Sequence, residues 1–315
     1  MILYLMHEEI DQQKWDACIE KSINSLPYAL SWILNIVSPN WDALIEEDYS
    51  AVFPLTHRKK WGIQYLFPPP FTQQLGLFSI NEITDEQFAN FYQAIPKQFK
   101  FIDILTNWQN ACTLLPSEIA FQKNLTLSLK PEYEFIQKAY SENLKRNIRK
   151  AEKENLFIHN GNKPEELTTL FRENRGKFLN RISSDDYVKI QRICYQAIHK
   201  GQGRIINISD TDNNLCASAF FLHSDNRIIF LFSGLSERGK KTGAMPFLID
   251  SVIREFSGND FLLDFEGSND QNLARFYQSF GANESYYFRL TEYRFLKILR
   301  PAIRYLKRIK TELRK

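Results

Sequence analysis

Three apolar segments, 203–209, 215–223 and 227–233, follow one another with only short polar turns between them. Connections that short cannot hold a helical crossover, so the segments are expected to run as an antiparallel meander. Then the period changes. After the polar stretch Leu235-Ser-Glu-Arg-Gly-Lys-Lys-Thr-Gly-Ala244, residues Met245, Leu248, Ile249, Val252, Ile253 and Phe256 recur at helical spacing. The reading is a turn followed by a helix over 243–256. A strand at 260–265, a helix at 270–279 and a strand at 284–291 close this series. Helices at 164–175 and 184–199 open it.

The first part of the chain has a similar order. Helices are expected at 11–23 and 30–37, strands at Trp41–Glu46, Tyr49–Thr56 and Trp61–Leu66, a helix at 84–94, and strands at Phe101–Leu105 and Leu125–Leu129. Glu46–Asp48 and Arg58–Lys60 read as turns. Pro131 breaks the chain, and one basic helix is expected from 134 to 153. The fold class is therefore α+β: two similar lobes, each a mixed, largely antiparallel sheet flanked by helices. They are placed at 1–140 and 141–293, ahead of a basic tail at 294–315. The likeness lies in element order alone, and one large mixed sheet is the alternative.

Composition agrees. A chain of 315 residues with 43% hydrophobic content can build two cores, and 14% aromatic residues favour pleated surfaces. The net charge of +3 is unevenly spread. The tail carries about +8 by count, which leaves the rest mildly acidic at about −5. Within the tail, Pro301 suits a helix start, and Ala302, Ile303, Leu306, Ile309 and Leu313 form an apolar stripe. Such a basic amphipathic helix can lie on anionic lipid, dock on the acidic body or meet tRNA; nothing points to DNA. No apolar run approaches the ~18 residues of a membrane span, and the N-terminus lacks a signal-peptide pattern. Cys18, Cys112, Cys194 and Cys216 are widely spaced and read as structural thiols. The expected location is cytoplasmic, with peripheral contact at the inner membrane surface. The five histidines show no metal spacing, so no metal is expected.

The stretch from Arg227 to Leu290 carries the chemistry. A Gly- and Lys-rich turn at a helix start is a natural anion site, because free amides and the positive dipole end face it. Gly234, Leu235, Arg238, Lys240, Lys241, Thr242, Gly243 and Ala244 are the candidates. Two phosphate motifs compete. Gly234-Leu-Ser-Glu-Arg-Gly239-Lys240-Lys241 nearly matches the P-loop, but Lys241 stands where a hydroxyl residue should hold magnesium. Its strand is also the third of a meander, not the opening strand of a βαβ unit.

The segment Lys240-Lys-Thr-Gly243-Ala244 resembles the Q/R-x-x-G-x-G/A pyrophosphate turn of GNAT acyltransferases, with Lys for Gln/Arg and Met245 in place of the last small residue. Asn272-Leu-Ala274-Arg-Phe-Tyr277-Gln-Ser-Phe-Gly281-Ala is similar to a later motif of that family, with Ala282 where Phe is usual. The basic helix Ser141–Lys153 and the stretch Asp264-Phe-Glu266-Gly-Ser268 resemble the FemAB-like branch, in which two GNAT lobes are fused. The resemblance implies an N-acyltransferase that takes an acyl group from acyl-CoA, or a transferase that uses aminoacyl-tRNA on a cell-envelope precursor. A non-catalytic lipid- or partner-binding module is the third reading.

Acyl transfer to an amine of pKa ~10.4 needs a base, since deprotonation at neutral pH costs roughly 4–5 kcal/mol. Asp264 and Glu266 alternate at a strand end and so are expected on one face, with Glu266 nominated as base. Tyr277 is the candidate acid, and the resemblance implies that Asn272 lies at the donor and that amides near Gly234–Leu235 meet the oxyanion. For the acceptor, the cationic face of Lys145, Arg146, Arg149 and Lys150, and Tyr65, Gln73 and Gln74 around a Pro-rich loop, are the candidates.

Overall fold

The first predicted helix forms over Gln12–Lys21 (α1) because Asp11 caps it. The Asp11 carboxylate accepts from the amides of Gln13 and Lys14, both at 3.1 Å. In the computed structural model, which describes residues 1–110, 113–115, 118–178, 182–224, 226–266 and 269–295, the chain divides into two units. Among the described residues, the first holds those of 1–122 and 286–295, and the second those of 123–285.

In the first unit, β1 (Ile2–Leu5), β2 (Asp42–Glu46), β3 (Ala51–Leu55) and β6 (Phe78–Ser79) pair in that order, all antiparallel. A second set contains β4 (His57–Lys60), β5 (Ile63–Leu66) and β7 (Phe99–Leu105), with β5 parallel to β7. Helices α2 (Ser31–Val37) and α3 (Asp85–Ala94) complete the elements. Phe53, Leu55, Leu66, Phe88, Phe91 and Phe99 build the core with Leu290. Leu290 comes from the end of the chain, where residues 289–293 run antiparallel to β7. Arg289 grips Asp103 with two bonds of 2.7 Å. This pairing moves the boundary. Residues 286–293 were expected in the second lobe, and they form part of the first unit. The front boundary also falls earlier, at 122 instead of 140.

The β4–β5 hairpin departs from expectation in another way. Arg58–Lys60 belong to a strand, and the turn is Trp61-Gly62, with φ of 50° and 77°. Trp is a good strand residue, so pattern reading placed it in β5. Left-handed backbone costs a residue with a side chain roughly 1–2 kcal/mol.

The strands of the second unit pair in the order β8-β13-β12-β11-β10-β9. These are β8 (Glu118–Ser128, of which 123–128 lie here), β9 (Phe157–Gly161), β10 (Gly203–Ser209), β11 (Leu215–His223), β12 (Arg227–Leu235) and β13 (Leu262–Asp264). The expected meander is β10-β11-β12, antiparallel throughout. β13 returns parallel to β12. The basic helix is two helices, α4 (Tyr133–Lys138) and α5 (Glu142–Lys153), because the Ser141 hydroxyl accepts from the Leu144 amide and starts a new one. α6 (Pro164–Glu173) and α7 (Ser184–His199) cover one face of the sheet. α5, α8 (Glu237–Thr242), α9 (Ala244–Phe256) and α10 (Gln271–Gln278) follow in the same unit, and β14 (Asn283–Tyr293) leads out of it. On the α9 face, Leu248, Ile249, Val252 and Ile253 pack with Ala217, Ala219, Phe221 and Ile228 of the sheet and with Leu144 and Ile148 of α5. On α9, the buried Asp250 carboxylate accepts from the hydroxyls of Tyr133 at 2.9 Å and Tyr140 at 3.0 Å. Burial and this carboxylate push the Tyr133 phenol up to about 12.

At the end of β11, burial and then the Arg204 charge push the His223 imidazole down to about 4. Folded His223 therefore stays neutral while the unfolded chain binds a proton below about 6.5. Stability present above that pH is lost as pH falls through about 4. Urea midpoints measured from pH 7 to 4.5 should fall more steeply for the wild type than for His223→Gln. Parallel curves would remove the assignment.

Candidate functional site

β12 has two neighbours along only part of its length. It pairs with β13 at three positions, Arg227↔Leu262, Ile228↔Leu263 and Ile229↔Asp264, and there β13 ends. On its other edge it stays paired with β11 as far as Leu235. From Phe230 onward one edge of β12 is thus released from β13. A bulge sits at this point: Phe221 pairs with Phe230 and Phe220 with Phe232, which leaves Leu231 as the extra residue. The bulge reverses which way side chains point. Phe230 packs in the α9-side core with Phe265 and Tyr277, whereas Phe232 lies tilted against Phe171 of α6, with ring centroids 4.6 Å apart. Without it, residues two apart would face the same side.

Tyr277, on α10, lies at this divergence. Its ring stacks on Phe265 at 4.8 Å and meets Phe230 edge-on at 6.2 Å. Phe230 and Phe265 are the first residues beyond the last β12–β13 pair, so Tyr277 covers the start of the gap. The surroundings are dry: Tyr277 is 7% exposed and Phe265 2%.

Asp264 is fully buried at the same point. Its Oδ2 accepts from Arg227 at 2.6 Å and from the Asn124 amide at 3.3 Å, and its Oδ1 accepts from the Glu266 amide at 2.9 Å. A carboxylate so occupied anchors the strand end and is shielded from any substrate. The same bonds alter the relation of the two acids. Glu266 lies past the strand, at φ 50°, so the alternation expected of a continuous strand does not apply. Glu266 is half-buried. Gly267 and Ser268 lie outside the described residues.

The polar stretch after β12 is not an open turn. Residues 237–242 form α8, started by Ser236, whose hydroxyl accepts from the Gly239 amide at 3.0 Å. Gly243 joins α8 to α9 in left-handed conformation, φ 79°. Its amide donates to Gly239, and a Cβ there would lie 2.4 Å from the Asn147 carbonyl of α5. Ala244 and Met245 are buried, and Pro246 has no N–H to offer. The joint is sealed by backbone, which corrects the picture of amides waiting at a helix start. Sequence reading missed α8 because Gly239 weakens a helical pattern. Gly239 is required for a different reason: a Cβ would meet the Cys216 carbonyl at 2.1 Å, since α8 lies directly on β11. Gly234 is similarly pressed by α6, its missing Cβ 2.8 Å from the Phe171 amide nitrogen.

Side chains supply the positive charge instead. Arg238, Lys241 and Thr242 of α8 line an open cleft of about 300 Å³ with Lys150 and Glu154 at the end of α5. Two features that the sequence presented separately, the cationic helix face and the Lys-rich turn, thus meet. Arg238 is held at 2.6 Å from Asp210, a carboxylate kept below its usual range chiefly by the Asn214 amide. Lys240 pairs with Glu237, and Lys145 with Glu142. The Thr242 hydroxyl is spent inside α8, donating to Arg238 at 2.9 Å. Arg146 and Arg149 are exposed on α5, and Asn272 is exposed near the start of α10. Leu235, half-buried, ends β12.

The remaining acceptor candidates belong to the first unit. Gln74 is 1% exposed, and its amide donates to Gln73 at 2.9 Å. Tyr65 is half-buried with its ring edge-on to Phe67 at 6.3 Å. Gln74 is therefore an interior residue of that unit. Cys18, Cys194 and Cys216 are buried thiols whose pKa burial raises, so none is poised as a thiolate. Among the described residues no cluster of His, Cys, Asp and Glu could hold a metal, and no helix is long and apolar enough to cross a membrane.

The sealed joint makes a testable demand. Gly243→Ala forces a side chain into left-handed backbone, costing roughly 1–2 kcal/mol, and drives it into α5 besides. Thermal melting should show a clear loss of stability, and an unchanged melting temperature would mean that α5 does not press on this residue.

No protein-family model matches the chain, and no curated protein matches it by sequence. Solved structures do. FemX shares 11% identity at a TM-score of 0.63, over 91% of this chain and 96% of that one. The C-terminal domain of a putative lysylphosphatidylglycerol synthetase from Agrobacterium fabrum gives 9% and 0.56, over 93% and 94%. L-PGS from Bacillus licheniformis gives 12% and 0.53, over 97% and 98%. At such identities the likeness is one of fold. The chain has the α+β, FemAB-like two-lobed GNAT fold that its sequence resembles.

Proposed function

We propose that the protein is a transferase that moves an acyl or aminoacyl group from a phosphate-bearing carrier to an amine. The observation that carries this reading is the release of β12 from β13 at Ile229/Asp264, with Tyr277 against the first two residues of the gap. A carbonyl that becomes an oxyanion needs hydrogen-bond donors, and backbone amides of β12 beyond Ile229 are not spent on β13. The acceptor nitrogen would attack this carbonyl. A C–N bond forms as the bond to the carrier breaks. Glu266, the less buried of the two acids, takes the proton from the nitrogen, and Tyr277 gives one to the departing sulfur or oxygen. Asp264, tied to Arg227, stays a spectator that fixes the gap.

Two carriers fit this chemistry, and the sealed joint at Gly243 favours aminoacyl-tRNA. A coenzyme A pyrophosphate is compact and suits a row of backbone amides. Here the phosphate contacts are left to Lys150, Arg238 and Lys241 on an open cleft, which suits the backbone of an extended nucleic acid. One fold neighbour, the C-terminal domain of a putative lysylphosphatidylglycerol synthetase, is compatible with aminoacyl chemistry. Acyl-CoA remains the second reading, because a departing thiolate needs a proton and Tyr277 is a residue that could give one. The acceptor would be an amine of a cell-envelope precursor. A cytoplasmic setting goes with such donors.

Calorimetry with acetyl-CoA and with aminoacyl-tRNA separates the carriers. Binding of the tRNA alone, weakened about tenfold in Lys150→Gln/Lys241→Gln and falling steeply with salt, is the expected result. Heat from acetyl-CoA alone would favour the second carrier, and none from either would end the transferase reading. Glu266→Gln and Tyr277→Phe should each lower turnover at least ~100-fold with melting temperature retained. Full activity in both would remove the roles given to them.

A further inference from the structure

The β4–β5 hairpin ends in a residue that the fold does not need. Trp61 is 88% exposed, yet it holds left-handed backbone at φ 50° beside Gly62. Two-residue turns of this kind favour Asn, Asp or Gly at the first position, since a bulky side chain there is strained. Trp61 recovers nothing from the core. A side chain that strains its own backbone and stands in water has its partner outside the folded chain.

Its neighbours indicate which partner. Arg58, Lys59 and Lys60 precede Trp61 and are exposed, and exposed Ile63 lies opposite Lys60 in the hairpin. Between Asp48 and Glu82 the sequence has no acidic residue. Among the described residues none of these three cations forms an ion pair; Lys60 lies over the Trp61 ring at 4.6 Å and Arg58 over Phe67 at 4.1 Å. The tip thus offers one indole and one aliphatic side chain, with three uncompensated charges just behind.

We infer that this hairpin tip is an anchor for an anionic lipid bilayer. The indole takes the interfacial zone, where an amphipathic ring is at home, and Arg58, Lys59 and Lys60 meet the headgroup phosphates. A single-stranded nucleic acid would also attract the charges. It would need an open aromatic face for base stacking, and Lys60 occupies a face of this ring; a hairpin tip also lacks a groove to follow a strand. The surface belongs wholly to the first unit and is independent of the transferase reading.

The test uses the full chain with vesicles of phosphatidylcholine, with and without phosphatidylglycerol, read by co-sedimentation and tryptophan emission. The basic tail is common to all variants, so differences report the hairpin. Phosphatidylglycerol vesicles should shift the emission to the blue, and phosphatidylcholine alone should not. Lys59→Gln/Lys60→Gln should weaken partition about 25-fold, at about fivefold per charge. Trp61→Asn should abolish the shift and weaken partition about tenfold while raising the melting temperature, because Asn suits the turn. Unchanged partition in both variants would overturn the inference, as would a lowered melting temperature in Trp61→Asn, which would give the ring a packing role. Loss of single-stranded RNA binding in Trp61→Asn, with vesicle binding intact, would overturn it in favour of a nucleic acid.

Discussion

The buried carboxylate of Asp264 decides where the sheet of the second unit opens. A charge without solvent is tolerable only when it is fully partnered, and Asp264 is bonded to Arg227 of β12, Asn124 of β8 and the amide of Glu266. These bonds tie both neighbouring strands to the last residue of β13 and turn the chain away at Glu266. The divergence of β12 and β13 follows from that turn. Removing the carboxylate would take this charge partner from buried Arg227, a loss of about 3–5 kcal/mol for pairs of this kind. The candidate site is therefore built on a fully bonded carboxylate, which separates Asp264 from Glu266, the two acids expected on one face of a strand.

The bulge at Leu231 completes the opening. It lets Phe230 serve the α9-side core and Phe232 the α6 side, so this part of β12 is held on both faces while one edge is released from β13. A strand edge normally invites further pairing. Here the rings of Phe230, Phe265 and Tyr277 keep the start of the gap dry, which strengthens any hydrogen bond that an amide in it makes to a developing charge.

What was legible in the sequence was periodic. The meander 203–233, the apolar stripe of α9 and the order of strand and helix after it could be read because each follows from spacing. So could the resemblance to FemAB-like GNAT folds, which rests on that order as much as on Tyr277 and its neighbours. What escaped was decided by contacts between distant segments. Gly239 and Gly243 looked like loop residues, but they are glycines because β11 and α5 press on them. Glu266 looked like the next residue of a strand, but the strand stops at Asp264. The last strand joined the first unit because Arg289 and Leu290 find Asp103 and the Phe-rich core there, and no local pattern records such a pairing. Trp61 was read as a strand residue by propensity, and its place at the turn becomes visible only from the backbone angle.

The sealing of the α8–α9 joint bears on specificity as well as on fold. A row of backbone amides fixes one phosphate geometry, whereas lysine ammonium groups are mobile point charges that accept phosphates in many arrangements. In the proposed transferase, Lys150 and Lys241 on an open cleft would therefore supply attraction and little discrimination. On that proposal, selection of the transferred group would come from elsewhere in the second unit, and the dry gap at Phe230, Phe265 and Tyr277 has defined walls. An apolar wall separates ligands that differ by one methylene by only about 1–3 kcal/mol, while a polar group left unpaired against it is penalised far more. A gap of this character favours groups by what they bury, so the carrier would be chosen by charge and the cargo by shape.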